Sequence, residues 1–177
     1  MVLTESPSIT EGPRGYTPEE LAFLARTAQG GISPDRRLAA VQTLLRAVPA
    51  ESMVALLLNR LEHDSDTHML WPCATWLVEL YGEVAAARKV LLNRLEGDPN
   101  PAMRRSVLQL LSARFGACEP VRNAVALVAA LDPDDDIRAA AGKTVEELRR
   151  IMYSPPAPAQ TSHSSRQLAA WQATSRP

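Results

Sequence analysis

The feature that most constrains this chain is that it repeats itself. "LLNRLEHDSDT" at 57–67 returns as "LLNRLEGDPNP" at 91–101, and "DPNPAMRRS" at 98–106 is answered, at the same offset again, by "DPDDDIRAA" at 132–140. The same register carries "ELYGE" at 79–83 onto "ARFGA" at 113–117, with Tyr81 on Phe115 and Gly82 on Gly116. Upstream, "SPDRRLAAVQTLL" at 33–45 matches "PNPAMRRSVLQLL" at 99–111, which places a first, more divergent copy before the second at a slightly shorter offset. A fixed period of this kind means small units that cannot bury their apolar surface alone and must stack on their neighbours.

Apolar residues recur at three- and four-residue spacing from about residue 18 to 152, and no segment alternates with period two, so every unit is helical. Each copy holds two helices: 18–29 with 34–47, 50–63 with 67–81, 83–96 with 101–115, and 120–131 with 134–152. Pro49, Pro101 and Pro120 fall at or near helix starts and Gly82, Gly97 and Gly116 at helix ends, where their backbones are favoured. Pro72, inside "DTHMLWPCATWLVELYG", is expected to kink its helix or delay its start. The domain opens at "TPEEL", with Thr17 as N-cap, Pro18 at the first helical position and Glu20 completing a capping box.

Residues 1–16 read as a flexible arm, 17–153 as the repeat domain and 154–177 as a flexible tail. The tail begins with the extended linker "SPPAPAQTSHSS". A short helix in "SRQLAAWQATSRP" would place Leu168 and Trp171 on one side, a motif able to dock on a partner or on the domain's own groove.

In two copies an Asp stands in the turn between the helices with an Arg six positions later, Asp98 with Arg104 and Asp132 with Arg138. Such an Asp can accept from backbone N–H groups at the next helix start, and the Arg can reach it or the Asp of a neighbouring copy, forming a structural ladder. Over about residues 20–150 these features resemble HEAT-type repeats, including the variant found in phycobilisome lyases. The second copy departs from the pattern with Asp64 and Leu70, the first with Ile32 and Leu38. The resemblance implies an all-α fold, a short right-handed α-solenoid of about four HEAT-like hairpins and about eight helices. It also implies a protein-binding scaffold, because HEAT repeats serve mainly as such.

With 19 basic against 20 acidic residues and a net charge of -1, the surface as a whole is not built for nucleic acid or anionic membrane. No stretch nears the roughly 18 apolar residues of a membrane span, and "MVLTESPSITEGP" lacks the charged start and apolar run of a secretion signal, so a soluble, cytoplasmic protein is expected. Cys73 and Cys118 are too few for a disulfide framework or an all-cysteine zinc site and read as reduced, buried thiols.

Three constellations invite a chemical reading. "DPDDD" at 132–136 offers carboxylates at loop positions 1, 3 and 5, but Ile137 and Lys143 stand where a calcium loop needs Gly and Glu. "HDSDTH" at 63–68 gathers two His and two Asp, but His163 in the tail is the chain's only other His, so a solvated polar turn is expected. Cys73 aligns with Val107 and Ala141, apolar positions that mark a structural thiol rather than a nucleophile. No catalytic residue, metal or cofactor is therefore expected.

What remains is a surface. Ten of the 19 basic residues fall on the second helices, which usually line the concave face in HEAT-like solenoids. The expected partner-binding groove comprises Arg37, Trp71, Arg104, Arg105, Arg114 and Arg138, with Trp71 aligned on Arg105 and Ala139 as the one exposed aromatic. A protein partner, possibly acidic in character, fits it; DNA is the alternative occupant. HEAT-like DNA glycosylases use such a groove, but none of their catalytic residues transfers to this chain.

Overall fold

The computed structural model describes residues 15–30 and 33–153. Its elements are α1 (Pro18–Gly30), α2 (Pro34–Ala47), α3 (Ala50–His63), a 3-10 turn (Thr67–Met69), α4 (Leu70–Glu79), α5 (Val84–Gly97), α6 (Pro101–Phe115), α7 (Glu119–Leu131) and α8 (Asp135–Tyr153), with no strand among the described residues.

Local chemistry sets the helix boundaries. At α1 the Thr17 N–H donates to Glu20 Oε2 at 2.8 Å and the Glu20 N–H donates to Thr17 Oγ1 at 3.2 Å, the reciprocal pair that a capping box supplies. Helices α2 and α6 both open with a Pro, whose missing N–H costs nothing in a first turn. Pro72 is the third residue of α4, because the segment before it winds as a 3-10 turn and the α-helix starts only at Leu70. So placed, Pro72 sits in the first turn, where no intrahelical N–H is used, and the delayed start is the expectation that holds.

Two glycines are needed for different reasons. Gly82 joins α4 to α5 in the left-handed region at φ 70, which L side chains rarely adopt. Gly116 follows α6 with an ordinary φ of -59, but a Cβ there would lie 2.6 Å from Leu148 Cδ2 and 2.5 Å from the Ser112 carbonyl oxygen. The close approach of α8 to the end of α6 thus depends on the missing side chain.

Consecutive helices pair as α1 with α2, α3 with α4, α5 with α6 and α7 with α8, and the pairs stack so that α3, α5 and α7 form one layer and α4, α6 and α8 the other. The stacking repeats residue by residue. Met53, Leu57 and Leu61 of α3 recur as Ala87, Leu91 and Leu95 of α5, and Met69, Cys73 and Leu77 recur as Met103, Val107 and Leu111 of α6, all buried. Each fully buried Leu or Met contributes about 1.5–3 kcal/mol, so the core is one continuous sheet of side chains between the layers. Two helical layers of this kind are compatible with an α-solenoid. No described helix is long and apolar enough to cross a membrane.

The first copy lies one residue out of the register expected from sequence. Pro34 begins α2 as Pro101 begins α6, and Arg37, not Leu38, takes the ladder position, reaching Asp64 as Arg104 reaches Asp132. The position matching the turn Asp is then Gly31 rather than Ile32, and it lies outside the described residues.

Candidate protein-interaction surface

Beneath the outer faces of the second helices runs a row of largely buried carboxylates, Asp64, Asp98 and Asp132, evenly spaced along the chain at the repeat period. Each accepts from the backbone two residues on, at 3.0 Å from Asp66, 2.9 Å from Asn100 and 2.9 Å from Asp134. Asp66, Asn100 and Asp134 in turn accept from His68, Ala102 and Asp136 N–H groups at 2.8, 3.0 and 2.9 Å. The pattern Asp-x-Asx therefore satisfies the orphan N–H groups at the start of each second helix by two successive side-chain caps.

A guanidinium completes each rung, but not always from the same place. Arg37 donates through Nε and Nη2 to Asp64 at 3.0 and 2.8 Å, and Arg104 to Asp132 at 2.9 and 2.8 Å, each from one hairpin to the turn of the next. Between them, where Leu70 replaces the Arg, Asp98 is held instead by Arg94 from the end of α5, through Nε at 3.0 Å and Nη2 at 2.6 Å. Arg94 also donates to the Leu61 carbonyl at 2.9 Å, as Arg60 does to the Gln29 carbonyl at 2.7 Å. Because Arg37 already fills Asp64, Arg60 stands 3.6 Å from that carboxylate and its buried Nε has no partner.

The bidentate contact with Arg104 is the largest influence on Asp132 and holds its carboxyl below the usual carboxylate range; the same contact raises the Arg104 guanidinium. Asp66 is also lowered, chiefly by the His68 N–H. Burial, with a smaller push from Asp64, raises the Cys73 thiol to about 12, which leaves it protonated and unreactive near neutrality.

The six groove residues expected from sequence do not converge on one site. Arg104 is 6% exposed and committed to Asp132, and Arg37 is committed to Asp64. Arg138 turns back onto Asp135 of its own helix. Arg105 has 46% of its side chain exposed, stands 3.7 Å from Asp136 and lines a shallow depression of about 370 Å³ with Thr67, Ser106 and Asp134. Arg114, nine residues and so about 14 Å further along α6, donates to Glu79 at 2.7 Å and to Thr75 at 2.9 Å, tying α6 to α4. Trp71 is 39% exposed on α4, while Trp76 and Cys73 turn inward. Leu168 and Trp171 lie outside the described residues.

The acidic constellations are likewise spoken for. Asp132 belongs to Arg104, Asp134 caps α8, and Asp64 and Asp66 serve Arg37 and His68. Among the described residues no three His, Cys, Asp or Glu side chains converge in a way that could hold a metal ion.

Sequence reasoning missed Arg60 and Arg94 as ladder members. Their signal was present, an Arg four positions before the turn Asp at the same place in both "LLNRLE" segments, on an otherwise buried face. Comparison of the chain with family models, with curated proteins and with solved structures finds no match in any of the three.

Proposed function

We propose that the protein is a non-enzymatic scaffold, a short right-handed α-solenoid of HEAT-like hairpins in the cytoplasm, that binds a protein partner through the outer faces of its second helices. The observation that carries this reading is the contrast between the two sides of those helices. Their inner polar groups are consumed by the ladder and caps, while Trp71 and Arg105 stand exposed at equivalent positions of adjacent, packed helices. Trp and Arg are among the residue types most enriched at the energetic anchors of protein interfaces.

The buried Cys73 thiol, its pKa raised to about 12, offers no thiolate near neutrality, and Asp64, Asp132 and Asp134 serve as caps or ion-pair partners. The charge balance favours protein over DNA. Arg37, Arg104, Arg105, Arg114, Arg138 and Arg149 each pair with a carboxylate, which removes most of the field that phosphate binding needs.

The test is affinity capture from the native host with the full chain, Trp71→Ala with Arg105→Glu, and Arg88→Glu on a first helix as control. Loss of one and the same partner in the double variant alone supports the reading; equal capture by all three proteins rejects this face. Micromolar duplex binding that weakens steeply with salt and vanishes in Arg105→Glu would establish nucleic acid as the ligand instead.

A further inference from the structure

A cleft of about 530 Å³ opens between α1 and α2, and Phe23, Leu24, Arg36, Ala39, Ala40 and Thr43 are among the residues that line it. Counted from the helix ends Gly30, His63, Gly97 and Leu131, Leu24 occupies the place of Leu57, Leu91 and Val125, all 0% exposed. Phe23 likewise corresponds to Leu56 and Val90, which pack on the core, and to buried Ala124, yet Phe23 itself is 63% exposed. In the ladder register Arg36 stands where later hairpins bury Met69, Met103 and Ile137. The cleft is thus a stacking face of the kind that every later hairpin buries, and no described residue covers it.

Its chemistry says what would fit. An apolar bed of Phe23, Leu24, Ala39 and Ala40 lies beside Arg36 in the first turn of α2, where the helix N-terminus adds to the attraction for a carboxylate. A second depression of about 350 Å³, lined by Tyr16, Glu19, Glu20, Phe23 and Leu24, continues it toward the start of α1. Of the two terminal stretches outside the described residues, 154–177 carries Arg166 and Arg176 and no Asp or Glu, so it offers Arg36 no carboxylate side chain and brings further positive charge. Residues 1–14 carry Glu5 and Glu11, the apolar Val2, Leu3 and Ile9, and Arg14.

The stretch 1–14 joins the fold at Gly15, in the left-handed region at φ 80, directly before Tyr16 of the second depression. Fourteen residues can span about 46 Å, more than twice the roughly 20 Å length of α1.

We propose that residues 1–14 fold back over the first hairpin as its missing neighbour, with Ile9 anchored on Phe23 and Leu24 and a carboxylate of Glu5 or Glu11 on Arg36. The segment completes the stack in the way that capping units close repeat arrays, with a covalent tether that keeps its effective concentration high.

The experiment compares the full chain with Ile9→Asp, Phe23→Ser and the double variant, by thermal unfolding and by hydrogen exchange of the amides of residues 1–14. Phe23 is exposed in the hairpin itself, so its replacement leaves the helices intact, which far-UV circular dichroism verifies. Each single variant is expected to lower the melting temperature by about 2–4 °C, the double variant by no more than the larger single effect. Amides around Ile9 are expected to exchange at least tenfold more slowly than in an unfolded peptide and to lose that protection in Phe23→Ser. Free exchange throughout 1–14, or additive effects of the two substitutions, overturns the proposal. So does a dimer in sedimentation that Phe23→Ser breaks and Ile9→Asp leaves whole, because a second copy then covers the face. The charge is tested by Glu5→Gln with Glu11→Gln, which should remove the same salt-sensitive part of the melting temperature as Arg36→Gln; no overlap between them removes Arg36 from the contact.

Discussion

Arg104 on α6 grips both carboxylate oxygens of Asp132 in the turn of the following hairpin, at 2.9 and 2.8 Å, while its Nη1 donates to the Asp98 carbonyl of its own turn at 2.9 Å. One side chain thereby fixes two adjacent turns. Both partners are nearly dry, with 8% and 3% of their side chains exposed, so removing one leaves the other buried and uncompensated.

Arg104→Ala is therefore expected to cost about 3–5 kcal/mol of unfolding free energy. Arg37→Ala should cost less than half of that, because Arg60 already stands 3.6 Å from Asp64 with an unused Nε and can close on it. At Asp132 Val128 holds the position of Arg60 and Arg94, and the other guanidinium nearby, Arg138, is already engaged with the Asp132 carbonyl and with Asp135. Urea unfolding of the two variants checks the contrast, and equal losses would show that Arg60 does not substitute.

Acid stability follows from the same pair. The folded-state pKa of Asp132 is depressed by Arg104 and that of Asp66 by the His68 N–H, so each contributes stability that is fully present above the ordinary Asp value. That contribution is lost as pH falls from about 4 through the depressed folded value. Melting temperature is expected to be level near neutrality and to fall below about pH 4, and Asp132→Asn should flatten the fall. An unchanged acid limb in that variant would remove Asp132 from the account.

Thiol labelling should divide the two cysteines. Cys73 is fully buried with its pKa raised to about 12, whereas Cys118 is only partly buried at the start of α7. In the native protein an alkylating reagent near neutral pH is expected to modify Cys118 and to reach Cys73 only on unfolding. Mass spectrometry of the labelled peptides gives the answer, and prompt modification of Cys73 would mean that α4 opens readily.

Gly116→Ala introduces a methyl group within 2.6 Å of Leu148 and 2.5 Å of the Ser112 carbonyl oxygen. The expected loss is about 1–3 kcal/mol, as in other overpacked cores. Adding Leu148→Ala should not restore full stability, since the carbonyl contact remains and a cavity is added. Complete rescue would identify Leu148 as the sole obstacle.

The helix boundaries were legible because they are written in local chemistry. Thr17 and Glu20, Pro34 and Pro101 each act within one turn, and the helices begin where those residues place them. The ladder was legible only in part. Arg36 and Arg37 are adjacent and Gly31 stands at the position of the turn Asp, so only the match of Pro34 with Pro101 marks the register in the sequence, and the bidentate geometry on Asp64 settles it. Arg94 escaped notice because a pattern of Asp followed by Arg looks forward along the chain, while its guanidinium reaches the Asp four positions ahead of it from the preceding helix. The groove was the least legible, because which Arg faces outward depends on the partner each finds, and those partners come from other hairpins.

The tie between Arg114 and Glu79, with its branch to Thr75, is exposed and spans the junction of the second and third hairpins, where the only other guanidinium bridge described is the bond from Arg94 to a carbonyl. The junctions on either side carry dry ionic clamps. Salt screens the middle tie far more than the outer two, so that junction is held together chiefly by the apolar packing of α3 and α4 on α5 and of α4 on α6, while its neighbours add a salt-resistant clamp to theirs. The chain crosses that junction at the α4–α5 connection, where Gly82 turns it in the left-handed region.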